Sequence, residues 1–359
     1  MKIKELQEHM AKKGIDFCLF YNLGNDNEDA NMFYFTGYNG NGALVIGRKK
    51  KYLVAPRMER ERAGKQNIKV YKWEKERLFD RILMINKGIG IKNKVIGIDK
   101  EMFTLKMHSH FKKYFKKCRT PDISGVCSKL RETKTKKEII AIKKACAITD
   151  SIIKNCFERF GEFKTEADVA YFLESETKKR LCELAFKPIV ASGADSSMPH
   201  SEPQNSKLKN GFCVIDFGVR YRGYCSDVSR TVYIGKPKKY EVEIYNLLLR
   251  AQYAVINSIK EGIRCSQLVE TARKGLGMYE KNFIHGLGHG IGIKVHELPS
   301  LRKESKDLLK RGMIFSVEPG IYFKKRFGIR IEDDVLIKKD SKEVLTKTTK
   351  KLLVFKKRE

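Results

Sequence analysis

The sequence predicts two domains of mixed structure, an α/β module over residues 1–125 and an α+β unit over residues 126–359. A chain of 359 residues exceeds what one ordinary hydrophobic core supports. The first part combines amphipathic helices with short apolar strands. From Phe186 onward, strands and tight turns dominate, and we find no repeat or low-complexity linker there.

Apolar spacing defines the elements of the first domain. An amphipathic helix ends at Gly14, because glycine is favoured just after a helix C-terminus. A second helix is predicted over Met102–Cys118. Apolar runs bounded by glycine and lysine predict short strands at Phe17–Tyr21, Ala43–Ile46, Tyr52–Val54 and Val95–Ile98. No group of catalytic residues stands out in this domain.

The second domain opens with a long predicted helix, Lys134–Phe160, which carries apolar residues at helical spacing. Thr165 and Asp168 form a capping-box pattern that starts another helix. Two further helices are predicted, over Glu241–Ile259 and from Ser266 to about Tyr279. The segments between and after them read as strands.

Composition restricts the class of protein. A content of 42% hydrophobic and 33% charged residues is typical of a charge-rich soluble protein. No run reaches the roughly 18–20 apolar residues of a membrane helix, and the N-terminus lacks the apolar core of a signal peptide.

Nine cysteines without a CxxC pair indicate free thiols, so we expect a cytoplasmic protein. The net charge of +31 could attract nucleic acid, but no nucleic-acid motif accompanies it, which favours a generally basic surface.

Two aspartates lie in neighbouring apolar strands, Asp216 in FCVIDFG and Asp227 in YCSDVSR. A hairpin centred between Tyr221 and Arg222 would place the two directly opposite, with Cβ atoms roughly 5 Å apart. Like charges at this distance repel each other, so we expect a cation between them. The apolar neighbours predict that this cation is partly shielded from water.

Two glutamates have similar surroundings. Glu318 lies in MIFSVEPGIY, and Glu332 lies in FGIRIEDDVLI, where Arg330 shares its face of the strand. Carboxylates inside such apolar strands are unfavourable unless they are paired. Together with the two aspartates they carry four negative charges, which two divalent cations would neutralise.

A glycine-rich run over residues 282–299, NFIHGLGHGIGIKVHELP, contributes three of the seven histidines, His285, His289 and His296. Bare backbone lets a ligand approach closely. The run does not contain GxGxxG, and the start of an HExxH motif at His296 fails because residue 300 is serine and Pro299 breaks a helix.

The order of these residues, within DFG…SD…HGxGHGIGxxVHExP…EPGIY…RIED, resembles the pita-bread metallopeptidases, and more narrowly their aminopeptidase P/prolidase branch. The resemblance covers most of the chain. It implies a creatinase-like α/β domain over residues 1–125 and a pita-bread catalytic domain over residues 126–359.

The resemblance implies two divalent metal ions, of which Mn²⁺ suits an oxygen-rich ligand set best, with Co, Fe or Zn as alternatives. Asp216 would chelate one ion, Asp227 and Glu332 would bridge both, and His289 and Glu318 would complete the second. A bridging water would be the nucleophile. Glu318 would shuttle its proton to the leaving nitrogen.

The resemblance also implies substrate contacts. His200, in MPHSEP, would hydrogen-bond the substrate near the scissile bond, and His296 would polarise the scissile carbonyl. His285 would line the pocket for the proline after that bond. Arg330 would orient the bridging carboxylates.

Proline-containing peptides are the expected substrates, and a homodimer is the expected assembly. The first domain and the element around His200 favour Xaa-Pro peptidases over methionine aminopeptidases. An Xaa-Pro aminopeptidase is favoured over an Xaa-Pro dipeptidase (prolidase), because several prolidases place arginine where this chain has Ser300, with Arg302 two residues on. A remote alternative, with which the charge of +31 agrees, is a non-catalytic relative associated with RNA or the ribosome.

Overall fold

The computed structural model describes residues 2–22, 29–74 and 77–356. The chain divides into a first unit, Met1–Arg131, and a second unit, Glu132–Glu359. The boundary that the sequence predicts after residue 125 falls inside a helix, Ser124–Glu132. Cys127 and Leu130 of that helix are buried in the core of the first unit, so the division comes at the last turn of the helix, after Arg131.

A five-stranded mixed sheet forms the centre of the first unit, in the order β4-β3-β2-β1-β5. Strand β2 pairs antiparallel with both β1 and β3. The two outer strands are parallel to their neighbours, β4 to β3 and β5 to β1. The elements are α1 Lys2–Lys13, β1 Phe17–Asn22, α2 Ala30–Thr36, β2 Gly42–Gly47, β3 Lys51–Pro56, α3 Arg60–Gly64, β4 Lys69–Trp73, α4 Leu78–Ile89, β5 Ile96–Ile98, α5 Leu105–Tyr114 and α6 Ser124–Glu132.

Both faces of this sheet are buried, which explains why its central strands are apolar throughout. Alternate residues of β1, such as Cys18 and Phe20, pack with α1, α2 and α6. Phe17 and Leu19 point the other way, against α4 and α5. The last of these helices is shorter than predicted, because the Thr104 hydroxyl caps it by accepting from a backbone N–H.

The second unit contains α7 to α10 and two larger sheets, whose strands are antiparallel except for β19. Its elements are α7 Lys136–Glu158, α8 Glu166–Lys179, β6 Glu183–Leu184, β7 Ile189–Ser192, β8 Gly211–Phe217, β9 Val219–Tyr221, β10 Tyr224–Cys225, β11 Val228–Ile234, α9 Lys239–Ser258, α10 Cys265–Leu276, β12 Gly288–Gly290, β13 Glu297–Leu301, β14 Ile314–Val317, β15 Gly320–Phe323, β16 Phe327–Arg330, β17 Asp333–Lys338, β18 Ser341–Val344 and β19 Val354–Phe355. The sheet orders are β19-β11-β8-β7 and β13-β12-β14-β17-β18, with β19 parallel to β11.

Each larger sheet has its own helical layer. Helices α7 and α8 pack on β7, β8 and β11, and helices α9 and α10 pack on the sheet that contains β14 and β17. The sheets meet at Ser229 and Glu332, where the glutamate N–H donates to the serine carbonyl at 3.1 Å. The two sheets therefore meet through polar residues, between the two helical layers.

The hairpin that carries the two aspartates differs from the predicted register. Arg222 and Gly223 both have positive φ, 50° and 82°, which is typical of a type I′ hairpin turn centred between them. Tyr221 pairs with Tyr224 accordingly. Asp216 therefore opposes Ser229 instead of Asp227, so the predicted direct pairing of the aspartates is wrong by two positions.

All nine cysteines are free and buried, as the sequence predicts for free thiols. In the described part of the chain, helices that combine the length and the apolar character needed to cross a membrane do not occur.

Candidate metal centre and substrate pocket

A cavity of about 470 Å³ opens in the second unit. Each residue that the sequence proposes for the site lines this cavity, except Glu332. Glu332 lies behind the wall, only 1% exposed, and its Oε2 atom accepts from the Ser229 hydroxyl at 2.8 Å. The proposed residues in the wall are His200, Asp216, Asp227, His285, His289, His296, Glu318 and Arg330.

The side chains of Asp227, His289 and Glu332 each offer one ligand atom, and these atoms lie within 4.8 Å of one another. The Nε2 atom of His289 is 3.7 Å from the Oδ2 atom of Asp227 and 3.2 Å from the Oε1 atom of Glu318. Its Nδ1 atom faces the Gly290 carbonyl at 3.4 Å. The ring thus turns Nε2 toward the carboxylates, as metal-binding histidines do.

Four buried carboxylate oxygens have no hydrogen-bond partner among the described residues: Asp216 Oδ1, Asp227 Oδ1, Glu332 Oε1 and Asp334 Oδ1. Burial, and then the charges of Glu332 and Asp216, hold the pKa of Asp227 well above its usual range. Burial, and then the charges of Glu318 and Asp216, do the same for Glu332. Unpaired buried anions are strongly unfavourable, so this oxygen set fits bound cations.

The fourth carboxylate behaves differently. Burial alone would raise the pKa of Glu318, but the hydrogen bond and the charge of His289 outweigh it and lower the pKa to about 2. The same contact raises the pKa of His289 against the effect of burial. Ser316 supports both residues, since its hydroxyl accepts from the His289 N–H at 3.0 Å and donates to Glu318 at 3.1 Å.

Arg330 connects several parts of the site. Its guanidinium donates to Asp216 Oδ2 at 2.6 Å, to the Ser229 hydroxyl at 2.8 Å, to the Tyr322 hydroxyl at 2.8 Å and to the Pro199 carbonyl at 3.2 Å. The side chain is almost completely buried. Its contact with Asp216 fixes one carboxylate oxygen and leaves the other free for a cation.

Tyr322 joins this arginine to the substrate side of the cavity. The His285 Nδ1 atom donates to the Gly286 carbonyl at 2.7 Å, since a carbonyl oxygen can only accept. Nε2 therefore accepts from the Tyr322 hydroxyl at 3.1 Å, while that hydroxyl accepts from Arg330. Burial lowers the pKa of His285, which agrees with a neutral ring.

Replacing Tyr322 with phenylalanine is expected to lower the free energy of unfolding by about 1–3 kcal/mol, because His285 and Arg330 each lose a buried partner. Urea denaturation measures the change. Tyr240→Phe, at a tyrosine that is 39% exposed, is the matched control and should stay near wild type. Equal changes in the free energy of unfolding for the two substitutions would contradict a stabilising role of the hydrogen bonds of Tyr322 with His285 and Arg330.

The remaining histidines lie where substrate can reach them. The rings of His296 and His289 meet edge to face, with centroids 4.2 Å apart. Burial, and then the charge of His289, lower the pKa of His296. His200 is exposed at the wall of the same cavity, beside Pro199.

Sequence reasoning did not single out several residues of the site. Tyr322 ends the EPGIY segment. Ser229 follows Asp227 by two positions, and this spacing is a signal from which Ser229 could have been predicted. Asp334 lies in the same apolar segment as Glu332, so the signal that identified Glu332 applied to Asp334 as well. Its Oδ2 atom accepts from the Asp227 N–H at 2.9 Å and from the Cys146 thiol at 3.4 Å, and burial raises its pKa to about 7.

The fold and this site define a class of enzyme. Residues 140–339 match the metallopeptidase family M24, and residues 2–133 match the creatinase/prolidase N-terminal domain. The chain belongs to metallopeptidase family M24, so it is a peptidase of a family that uses divalent metal ions. The predicted pita-bread fold and aminopeptidase P/prolidase branch are confirmed.

Characterised relatives fall on both sides of the predicted choice of substrate. The Xaa-Pro dipeptidase of Pyrococcus horikoshii is 35% identical, over 98% of this chain and 98% of its own. The crystal structure of the prolidase from the same organism has a TM-score of 0.89 at 33% identity, covering 98% and 99% of the two chains. The X-Pro aminopeptidase of Thermotoga maritima has a TM-score of 0.89 at 30% identity, covering 95% and 98%.

Proposed function

We propose that this protein hydrolyses the Xaa-Pro peptide bond with two divalent metal ions, and that dipeptides are its preferred substrates. The unpaired buried oxygens of Asp216, Asp227 and Glu332 beside His289 carry the metal part of the proposal. Glu318 completes the ligand set. Oxygen atoms and one imidazole favour a hard ion such as Mn²⁺.

When bound, the two cations would supply Lewis acidity and a water molecule with a lowered pKa. The residues of the chain do the rest. Glu318, beside His289 at the cavity, would accept a proton and pass it to the leaving nitrogen. His296, kept neutral by its lowered pKa, can donate a hydrogen bond to the scissile carbonyl. His200 would hold the substrate backbone.

His285 and its neighbours would form the pocket that binds the proline ring. Its ring is held by Gly286 and Tyr322, so the wall that it presents is rigid and neutral. Phe186 and Ile189 add apolar surface to the same cavity. A rigid, apolar wall suits a cyclic side chain that has no amide N–H to satisfy.

Arg302 favours dipeptides. Its side chain lies against Gly286 at the cavity, since a Cβ added to that glycine would be 3.5 Å from the Cγ atom of Arg302. Among the described residues, we find no carboxylate paired with its guanidinium. The other guanidinium of the wall, that of Arg330, already donates to Asp216, Ser229, Tyr322 and the Pro199 carbonyl. Arg302 is therefore the cation that can bind the free carboxylate of a C-terminal proline.

Ser300 does not remove this possibility. It lies opposite His289 in the pairing of β13 with β12, and Arg302 follows two positions later at the same cavity. Arg302 follows the end of β13 at Leu301, and both Ser300 and Arg302 line the cavity. Although Ser300 stands where several prolidases have arginine, the wall of the cavity thus keeps a cation in Arg302, two positions later.

The activity test uses the full chain, treated with chelator and then supplied with Mn²⁺ or Co²⁺. Metal-dependent release of proline from Xaa-Pro dipeptides supports the proposal. Absence of cleavage of every Xaa-Pro peptide, under all metals, would refute it.

Arg302→Ala is expected to raise KM for Gly-Pro by about 10–100-fold, because one or two hydrogen bonds to a charged group are lost. The KM for a tripeptide with proline second should change much less, since its carboxylate lies one residue further on. Lys303→Ala is the matched control at a neighbouring exposed cation. Equal losses on both substrates would show that Arg302 does not read the carboxylate.

The cysteines, the oligomeric state and the surface charge bear on where the enzyme works and what it contacts. Nine buried free thiols are compatible with a reducing compartment, so we propose a cytoplasmic enzyme. The homodimer stays a prediction, to be measured by light scattering. The basic surface also stays a candidate for weak binding of polyanions.

A further inference from the structure

A buried ion pair joins the start of the second unit to the wall of the cavity. The Nζ atom of Lys134 lies 3.6 Å from Oε2 of Glu297, and the two side chains are 1% and 3% exposed. A buried pair must overcome the lost hydration of both charges, so it is a poor source of stability. Its position next to a substrate-facing histidine points to a geometric role.

Lys134 projects from a well-anchored segment. Its N–H donates to the Gly312 carbonyl at 2.8 Å, and its ammonium group also donates to the Glu132 carbonyl at 3.3 Å. Thr135, the next residue, is the N-cap of α7 and forms a capping box with Glu138. The ammonium group is therefore held in place before it meets Glu297.

Glu297 closes a loop on the other side of the pair. Its Oε1 atom accepts from the Lys294 N–H at 3.3 Å. A Cβ at Gly292 would lie 2.1 Å from its Oε2 atom, so only glycine leaves room for the carboxylate. The loop over residues 292–297 thus folds around this carboxylate, and Lys134 neutralises it.

His296 directly precedes Glu297 in this loop. Its ring lies against the ring of His289, and both line the cavity. We propose that the Lys134–Glu297 ion pair positions His296, holding its ring beside His289 so that it reaches the scissile carbonyl. The inference rests on the proposed function of His296. Lys134 and Glu297 are positioning residues that act through it.

The kinetic test is a double-mutant cycle between Lys134 and His296, on an Xaa-Pro dipeptide with Mn²⁺. Lys134→Met is expected to lower kcat by about 100-fold, as small displacements of a catalytic group do, and to leave KM and Mn²⁺ affinity near wild type. In the His296→Ala background the same change should add little further loss. Lys134→Arg should retain most activity. Lys143→Met is the matched control, because Lys143 lies on α7, the helix that follows Lys134, and forms an ion pair with Glu343 on β18.

Two results would overturn the inference: losses that multiply in the double variant, or a Mn²⁺ affinity that falls in step with kcat. If Lys134→Met does not fold, the combined Lys134→Met and Glu297→Gln variant removes both charges of this pair and should show the same loss of kcat.

A second measurement is independent of activity. In ¹H–¹³C spectra of the Zn²⁺-loaded protein, the ring signals of His296 should shift in Lys134→Met while those of His108 stay in place. Unchanged His296 signals would refute the inference even in an active enzyme. A shift in a protein that cleaves no Xaa-Pro bond would uphold the positioning and refute the proposed function alone.

Discussion

Asp227→Asn is expected to abolish metal-dependent peptidase activity and, at the same time, to stabilise the metal-free protein. Asp227 lies within reach of His289 and Glu332, and its Oδ1 atom has no donor among the described residues. Loss of a contact that merely supports a ligand reduces metal affinity or activity by about 10–100-fold, so loss of a ligand should exceed about 100-fold.

The gain in stability follows from electrostatics. Burial and the charges of Glu332 and Asp216 disfavour the ionised form of Asp227. An amide carries no charge to repel, so we expect the free energy of unfolding, measured with chelator present, to rise.

Asp195→Asn is the matched control, because that carboxylate pairs with Lys209 outside the cavity. It should leave activity near wild type and should not stabilise the protein. An Asp227→Asn protein that keeps its activity, or that is less stable than wild type without metal, would contradict the assignment of Asp227 as a ligand.

Mn²⁺ is expected to raise the Tm of the chelator-treated protein more near pH 8 than near pH 5. The pKa values of Asp227 and Glu332 are raised in the folded state. Above the ordinary carboxyl pKa, about 4, the folded protein then binds more protons than the unfolded chain, so its stability falls as the pH rises. Asp334, with a pKa of about 7, contributes in the same direction. Glu318, at about 2, changes stability only in more acidic solution.

Metal ions replace these protons, so their stabilising effect grows as the carboxylates ionise. Differential scanning calorimetry at several pH values, with Mn²⁺ or with chelator, measures the difference. In Asp227→Asn the pH dependence of the metal-free Tm should be flatter. A metal-induced shift that is the same at every pH would contradict the raised pKa values.

Much of the fold and of the proposed ligand set could be predicted from the sequence, because both depend on local patterns. Continuous apolar runs bounded by glycine and lysine predicted strands of the first unit. Asp216, Glu318 and Glu332 were found because ionised residues in apolar strands require a partner. The structure brings them together with His289, although their spacing along the chain does not show how.

The error in the predicted register of the hairpin depends on the exact conformation of a turn. The predicted pairing of Asp216 with Asp227 assumed a hairpin centred one residue too early. The positive φ values of Arg222 and Gly223 fix the true centre. The place of Arg302 at the cavity depends on how β13 pairs with β12, which a distance counted along the sequence does not reveal.

The contacts of Arg330 restrict how this enzyme can evolve. One guanidinium touches Asp216 on the metal side and the carbonyl of Pro199, which precedes His200, on the substrate side. A lysine could not make these contacts together, because it lacks the planar fork of donors. Selection for a new substrate through changes around His200 would therefore disturb Asp216 as well. Substrate range and metal affinity should change together in laboratory evolution, and variants that alter only one of them should be rare near this arginine.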